Sequence, residues 1–159
     1  MKQTFKMAEV AEILDQTVGA LKIWRARDIC RYGGEGTRMA YSPVEVLKIG
    51  AALSLNAIGI DLKRAFAIME DGQVGSIFRA IVAGQSWPHD FWLFYVFDPE
   101  RRGEARRYGI ARGDEERVMF SDPADHAIPS EAFLRVNVSA IGRRHFAKVQ
   151  AYIAKAGAA

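Results

Sequence analysis

The sequence predicts an α+β protein: a mostly helical N-terminal domain, then a small antiparallel β-sheet domain closed by a C-terminal helix. Three observations predict it. Apolar residues recur at helical spacing from Met7 to Val82. A glycine-rich stretch at 31–41 interrupts them with the composition of a hairpin. From Ser86 onward the pattern changes to period two and to aromatics, which is the signature of strands. The boundaries expected are 1–72 for the first domain, 73–85 for a short linking helix, and 86–159 for the second domain.

The first helix is carried by Met7, Val10, Ala11 and Leu14, which share one helical face. Asp15 and Gln16 break the pattern, and Thr17 can cap a second helix. Val18, Leu21 and Trp24 then repeat the spacing, while Lys22, Arg25 and Arg27 lie on or beside the outward face. Two short helices joined by a tight turn, the second one basic, suit a DNA major groove. A plain helical hairpin with a solvated basic face fits the two helices equally well. The next stretch holds Gly33, Gly34 and Gly36 among Arg31, Tyr32, Arg38 and Tyr41, which permits a tight hairpin. Ser42, Pro43 and Glu45 then form a capping box with proline at the first helical position. The helix they start carries Val44, Leu47, Ala51, Leu55 and Ile58, with a second stripe of Val46, Ile49 and Leu53. Two apolar stripes require a second packing partner, either another element or another subunit. Gly59 can end this helix, and Asp61 can cap another one running to Ile68 or Met69.

This order of parts resembles the N-terminal DNA-binding domain of the MerR family and its winged-helix relatives. The resemblance is carried by Val10 to Leu14, by Leu21 to Trp24, by Gly36, Thr37, Arg38, Tyr41 and Ser42, and by Ala57 to Leu62. It covers a little under half of the chain. It implies a recognition helix in the major groove, a wing on the adjacent backbone and a homodimer on a two-fold site. Carried over, Thr17 begins the recognition helix, and Ala20 stands where the family often has threonine. Lys22 stands where the family has a phosphate-contacting arginine, and Trp24 at the aromatic that closes the helix against the wing. Arg38 matches the wing arginine and Tyr41 the tyrosine after it. Asp15 and Gln16 replace the family's Gly-Val turn, Asp28 replaces a common glycine, and Arg38 and Tyr41 are one residue further apart than usual.

Beyond this domain, Val74, Ile77, Phe78, Ile81 and Val82 make a short amphipathic helix ending near Gly84. It is too short for the long antiparallel dimerisation helix of similar proteins. The run 91–97 is of strand length, 106–112 and 117–120 follow as strands, and 133–138 alternates as a fourth. Ser139 can cap a closing helix with Ile141, Phe146, Val149, Tyr152 and Ile153 on its apolar side. The aromatic run can line a ligand pocket or serve as the buried central strand of a small sheet, and the core reading is preferred. The arginines at 101, 102, 106, 107 and 112 fit a second DNA-backbone contact, a hold on an acidic partner or a solvated hairpin edge, and Glu100 and Glu104 nearby support the last.

The chain has 159 residues, a net charge of +3 and 26% charged side chains. Residues 1–72 hold ten basic and nine acidic side chains, so any positive face must be made by folding. Cys30 is the single cysteine, so no intrachain disulfide is possible. His89, His126 and His145 are scattered, without metal-ligand spacing, so no metal site is expected. No phosphate-binding, dinucleotide-binding or nucleophile-elbow motif is present. Neither an enzyme nor a cofactor is expected. No stretch reaches membrane-spanning length, and no signal-peptide pattern opens the chain, so a soluble cytoplasmic protein is expected.

The function expected is therefore a sequence-specific regulator of transcription that binds double-stranded DNA as a homodimer. RNA polymerase and a small-molecule effector are candidate further partners, and a membrane is not. Lys22, Arg25, Arg31 and Arg38 would hold phosphates, and Thr17, Val18 and Ala20 would lie nearest the base edges. Two alternatives stay open: an architectural DNA-binding protein of excisionase or packaging type, and a ligand- or protein-binding module carried by the C-terminal domain.

Overall fold

The computed structural model describes residues 4–34, 39–85, 90–97, 105–112 and 133–158. Its elements in order are α1 (Met7–Ile13), α2 (Val18–Ala26), α3 (Pro43–Ala57), α4 (Leu62–Met69), α5 (Gly72–Val82), β1 (Phe91–Phe97), β2 (Ala105–Arg112), β3 (Phe133–Asn137) and α6 (Val138–Gly157). They divide into a helical unit, Met1–Gln85 with Ile141–Ala159, and a sheet unit, Ser86–Ala140.

The helical unit is built around α3. Ser42 accepts a hydrogen bond from the Glu45 amide and Glu45 returns one to Ser42, with Pro43 at the first turn, as the capping box predicts. The helix ends before Gly59, whose φ of 99° is open to glycine at little cost. Val46, Leu47, Ile49, Ala51, Ala52 and Leu55 are all fully buried, so most of both predicted stripes packs within the chain, whereas Val44 and Leu53 are half-buried and Ile58 is exposed. Asp61 caps α4 by accepting from the Arg64 amide at 3.1 Å. Phe66, Ile68 and Met69 of α4 close one side of the core. Val74, Ile77 and Phe78 of α5 are likewise buried. At 11 residues α5 is the short helix expected, and its apolar side is spent on this core rather than on a dimer seam.

The last helix departs from expectation. Residues 141–159 pack with the helical unit, and the sheet unit is an insertion between α5 and this helix. The reason is close backbone approach at two glycines. A Cβ on Gly142 would lie 2.7 Å from the Ile81 side chain and 2.8 Å from Phe78, and one on Gly50 would lie 2.6 Å from the His145 ring. Further along, Val149 is completely buried and the Tyr152 ring meets Phe5 edge-on at 6.3 Å. Lys148 pairs with Asp15 at 2.6 Å, and Lys155 reaches Glu12 at 3.4 Å, so α6 also ties down α1 and its turn.

His145 is a second correction, because its helix neighbours Arg143 and Arg144 place it on a surface by sequence. It is only 7% exposed. Its Nε2 lies 3.0 Å from Ser54 Oγ, which donates to the Gly50 carbonyl and accepts from Arg144. That arrangement assigns the proton to Nε2 and leaves Nδ1 buried without a hydrogen-bond partner among the described residues. Burial first, then the Arg144 and Lys148 cations, push its pKa down to about 4. The unfolded chain therefore takes up this proton at higher pH than the folded one. Stability is fully present above the ordinary histidine pKa and falls as the pH drops from 6.5 toward 4. The expected loss is at most about 3 kcal/mol. Urea midpoints measured across this range should decline in the wild type and stay flatter in His145→Gln.

The sheet unit is a three-stranded antiparallel sheet of order β2-β1-β3. Trp92 pairs with Ala111 on one side and Asn137 on the other, so the aromatic run is the central strand. Phe91 and Leu93 are buried, as the core reading of this run expects. The helix cap differs from the expected one. Asn137 accepts from the Ala140 amide at 2.8 Å, while Ser139 is buried and accepts from the Phe91 amide at 3.0 Å. The serine hydroxyl is held by the strand and so is not available to the helix. The predicted strand at 117–120 lies outside the described residues. No helix among the described residues is long and apolar enough to cross a membrane.

Candidate nucleic-acid interface

The turn between α1 and α2 is made by local chemistry. Asp15 takes a left-handed conformation at φ 54°, and the Gln16 amide donates back to the Ala11 carbonyl at 2.8 Å. Asp is one of the few side chains that tolerates this region. Thr17 then caps α2 by accepting from the Ala20 amide at 3.0 Å. Beyond the helix, Asp28 repeats the device at φ 55°.

Exposure along α2 follows the helical period. Leu21 is 2% exposed and anchors the helix, while Val18, Ala20, Trp24 and Arg25 are half-buried. Gly19, Lys22, Ile23, Ala26 and Arg27 are exposed and form the outward surface. Trp24 stands 6.1 Å from the Phe66 ring, and Tyr32 stands 6.0 Å from the same ring. This aromatic cluster joins α2, the base of the hairpin and α4. Lys48 sits over the Tyr32 ring at 5.3 Å and reaches Glu70 at 3.8 Å.

The hairpin base is fixed to both neighbouring helices. Arg25 donates to the carbonyls of Tyr32 and Gly34, the latter at 2.7 Å. The Gly33 amide donates to Glu45 Oε1 at 3.1 Å, and the Ala40 amide donates to the Gly33 carbonyl at 3.2 Å. Glu45 thus serves both the α3 cap and the hairpin. Phe5 and Tyr41 exchange two backbone hydrogen bonds of 2.8 Å beneath it.

The expected contact residues fall into separate groups. Thr17 and Lys22 are exposed at the outward side of α2, with Val18 and Ala20 half-buried beside them. Arg25 is committed to the hairpin carbonyls, so it positions the hairpin rather than standing ready for phosphate. Arg31 forms a two-point ion pair with Asp28, at 2.7 and 2.5 Å, on an exposed surface where such a pair holds weakly. Tyr41 is 1% exposed and its ring lies under Gly33, so its side chain is core and cannot touch a DNA surface. Arg38 lies outside the described residues.

Two residues join the surface that motif reasoning passed over. Lys63, exposed in the first turn of α4, stands close enough to Asp28 to help Arg31 hold that carboxyl below its usual range. Asp61 to Arg64 was readable as a helix start, but nothing in the sequence tells that this start lies beside the end of α2. Ile23 is 51% exposed, which its neighbours Leu21 and Trp24 do not foretell. Among the described residues no cluster of metal-ligating side chains occurs. Cys30 is buried, and burial pushes its thiol up to about 11, so it is not a reactive thiolate. Comparison with protein-family models and with curated protein sequences finds no match.

Proposed function

We propose that the helical unit binds double-stranded DNA as a winged helix–turn–helix, and that the protein is a transcriptional regulator of MerR-like build. The observation that carries this reading is the outward face of α2. The side chains of Lys22 and Arg27 make no hydrogen bond or ion pair there among the described residues, and α2 carries no acidic side chain. Lys63 adds a cation beyond the end of the helix. The Arg25 clamp supports the same reading, because it fixes the angle between α2 and the hairpin that would lie on the backbone. Phosphate contacts would come from Lys22, Arg27 and Arg38, with Arg31 released from its exposed pair.

We read the protein as a cytoplasmic homodimer on a two-fold site. The apolar side of α5 is buried in its own unit, so we place the dimer contact away from that side.

Salt dependence of duplex binding tests the docking. Lys22→Ala and Arg27→Ala should each weaken binding to all duplexes and reduce the slope of log affinity against log salt by about 1. Fluorescence anisotropy from 50 to 200 mM salt, roughly the range over which counterion release is readily seen, reads this directly. An unchanged slope in both variants would mean that this face does not meet the backbone.

A further inference from the structure

We infer that Ile23 is a specificity-determining residue that reads thymine methyl groups in the major groove. This rests on the DNA-binding reading and extends it to the chemistry recognised. Ile23 and Ile58 are the only large apolar side chains strongly exposed among the described residues, and Ile23 alone lies on the outward face of α2. One turn before it is Gly19 and one turn after it Ala26, both exposed. A Cβ at Gly19 would meet only the Thr17 hydroxyl, at 3.7 Å, so the face is open there. The surface of α2 is therefore low on both sides of Ile23 and the branched side chain protrudes.

A major groove about 12 Å wide only just admits a helix of about 10–12 Å. Small residues flanking one knob allow the deep seating that such a fit needs. The charges select nucleic acid over an apolar protein groove: Lys22 adjoins Ile23, Arg27 follows one turn later, and the helix has no acid to oppose an anionic surface. Once seated, Ile23 has no hydrogen-bonding group to offer. The apolar group that base edges present in the major groove is the thymine C5 methyl, so thymine is the base that rewards isoleucine.

The test uses the full-length protein and a random duplex pool. The most enriched duplex is resynthesised with deoxyuridine in place of each thymine in turn, which removes only the methyl, and affinities are measured for the wild type and Ile23→Ala. In the wild type, at least one thymine per half-site should lose about fourfold on conversion to uracil, the factor that one buried methyl-sized group gives. Ile23→Ala should bind the thymine and uracil duplexes equally. Truncating an exposed side chain leaves the core intact, and circular dichroism with an unchanged melting point verifies it. An enriched site without thymine, a wild type indifferent to uracil, or a sensitivity that persists in Ile23→Ala overturns this inference alone. Failure to enrich or bind any duplex overturns the DNA-binding reading and this inference with it.

Discussion

Replacing Gly33 by alanine is expected to destabilise the helical unit by about 2–5 kcal/mol, the sum of two separate penalties. Gly33 holds φ 86°, a left-handed region that costs an alanine roughly 1–2 kcal/mol. The new methyl would also lie 2.6 Å from Tyr41 Cζ and within 2.9 Å of two other ring carbons. The ring cannot retreat, because Tyr41 is 1% exposed and its backbone is bridged to Phe5. Overpacking of that kind typically costs about 1–3 kcal/mol more. The melting temperature should fall by something on the order of 10 °C. Gly34→Ala is the matched control: its φ of 69° carries the same backbone strain, but nothing lies within 4 Å of the added methyl. A loss for Gly33→Ala no larger than that for Gly34→Ala would show that the Tyr41 ring does not support the hairpin. DNA binding should fall further than stability alone explains, since Arg25 holds the hairpin by the carbonyls on either side of Gly33.

Deleting residues 141–159 should have the larger effect. A chain ending at residue 140 keeps α1 to α5 and the sheet strands. It loses the side chains of His145 and Val149 from the core and uncovers Phe78, Ile81 and Phe5 where α6 packs on them. At about 1.5–3 kcal/mol for each fully buried large apolar side chain, this approaches the whole stability of an ordinary domain, about 5–15 kcal/mol. The truncated chain should show helical circular dichroism without a cooperative urea transition. A cooperative transition at the full-length midpoint would mean that α6 belongs to the sheet unit after all, as chain order alone suggests.

That contrast marks where sequence reasoning runs out. The caps at Thr17, Ser42 and Asp61 were legible because each is settled by hydrogen bonds within three residues along the chain. The central strand was legible from its continuous aromatic run. The partner of α6 was not. Amphipathic spacing shows that one face of a helix is buried, but it does not show against what, and Ser54 and His145 meet across 91 positions. Arg25 and Tyr41 were misplaced for a related reason: Arg25 belongs to the basic side of α2 and Tyr41 ends the glycine- and arginine-rich stretch, and both read as surface. Only the folded hairpin reveals that one spends its donors on carbonyls and the other fills the space beneath a glycine. Asp15 and Asp28 show the reverse case. Neither is a glycine, yet both adopt a left-handed backbone, which their spacing in the sequence does not foretell.

The central claim is that α2 and the hairpin dock on duplex DNA, and selection from a random duplex pool by the full-length protein at physiological salt tests it most directly. Enrichment of a defined sequence whose binding weakens as salt rises is expected, with an inverted repeat if the protein works as a dimer and a single half-site if it does not. Absence of salt-sensitive binding to any duplex would contradict the account and turn attention to the sheet unit.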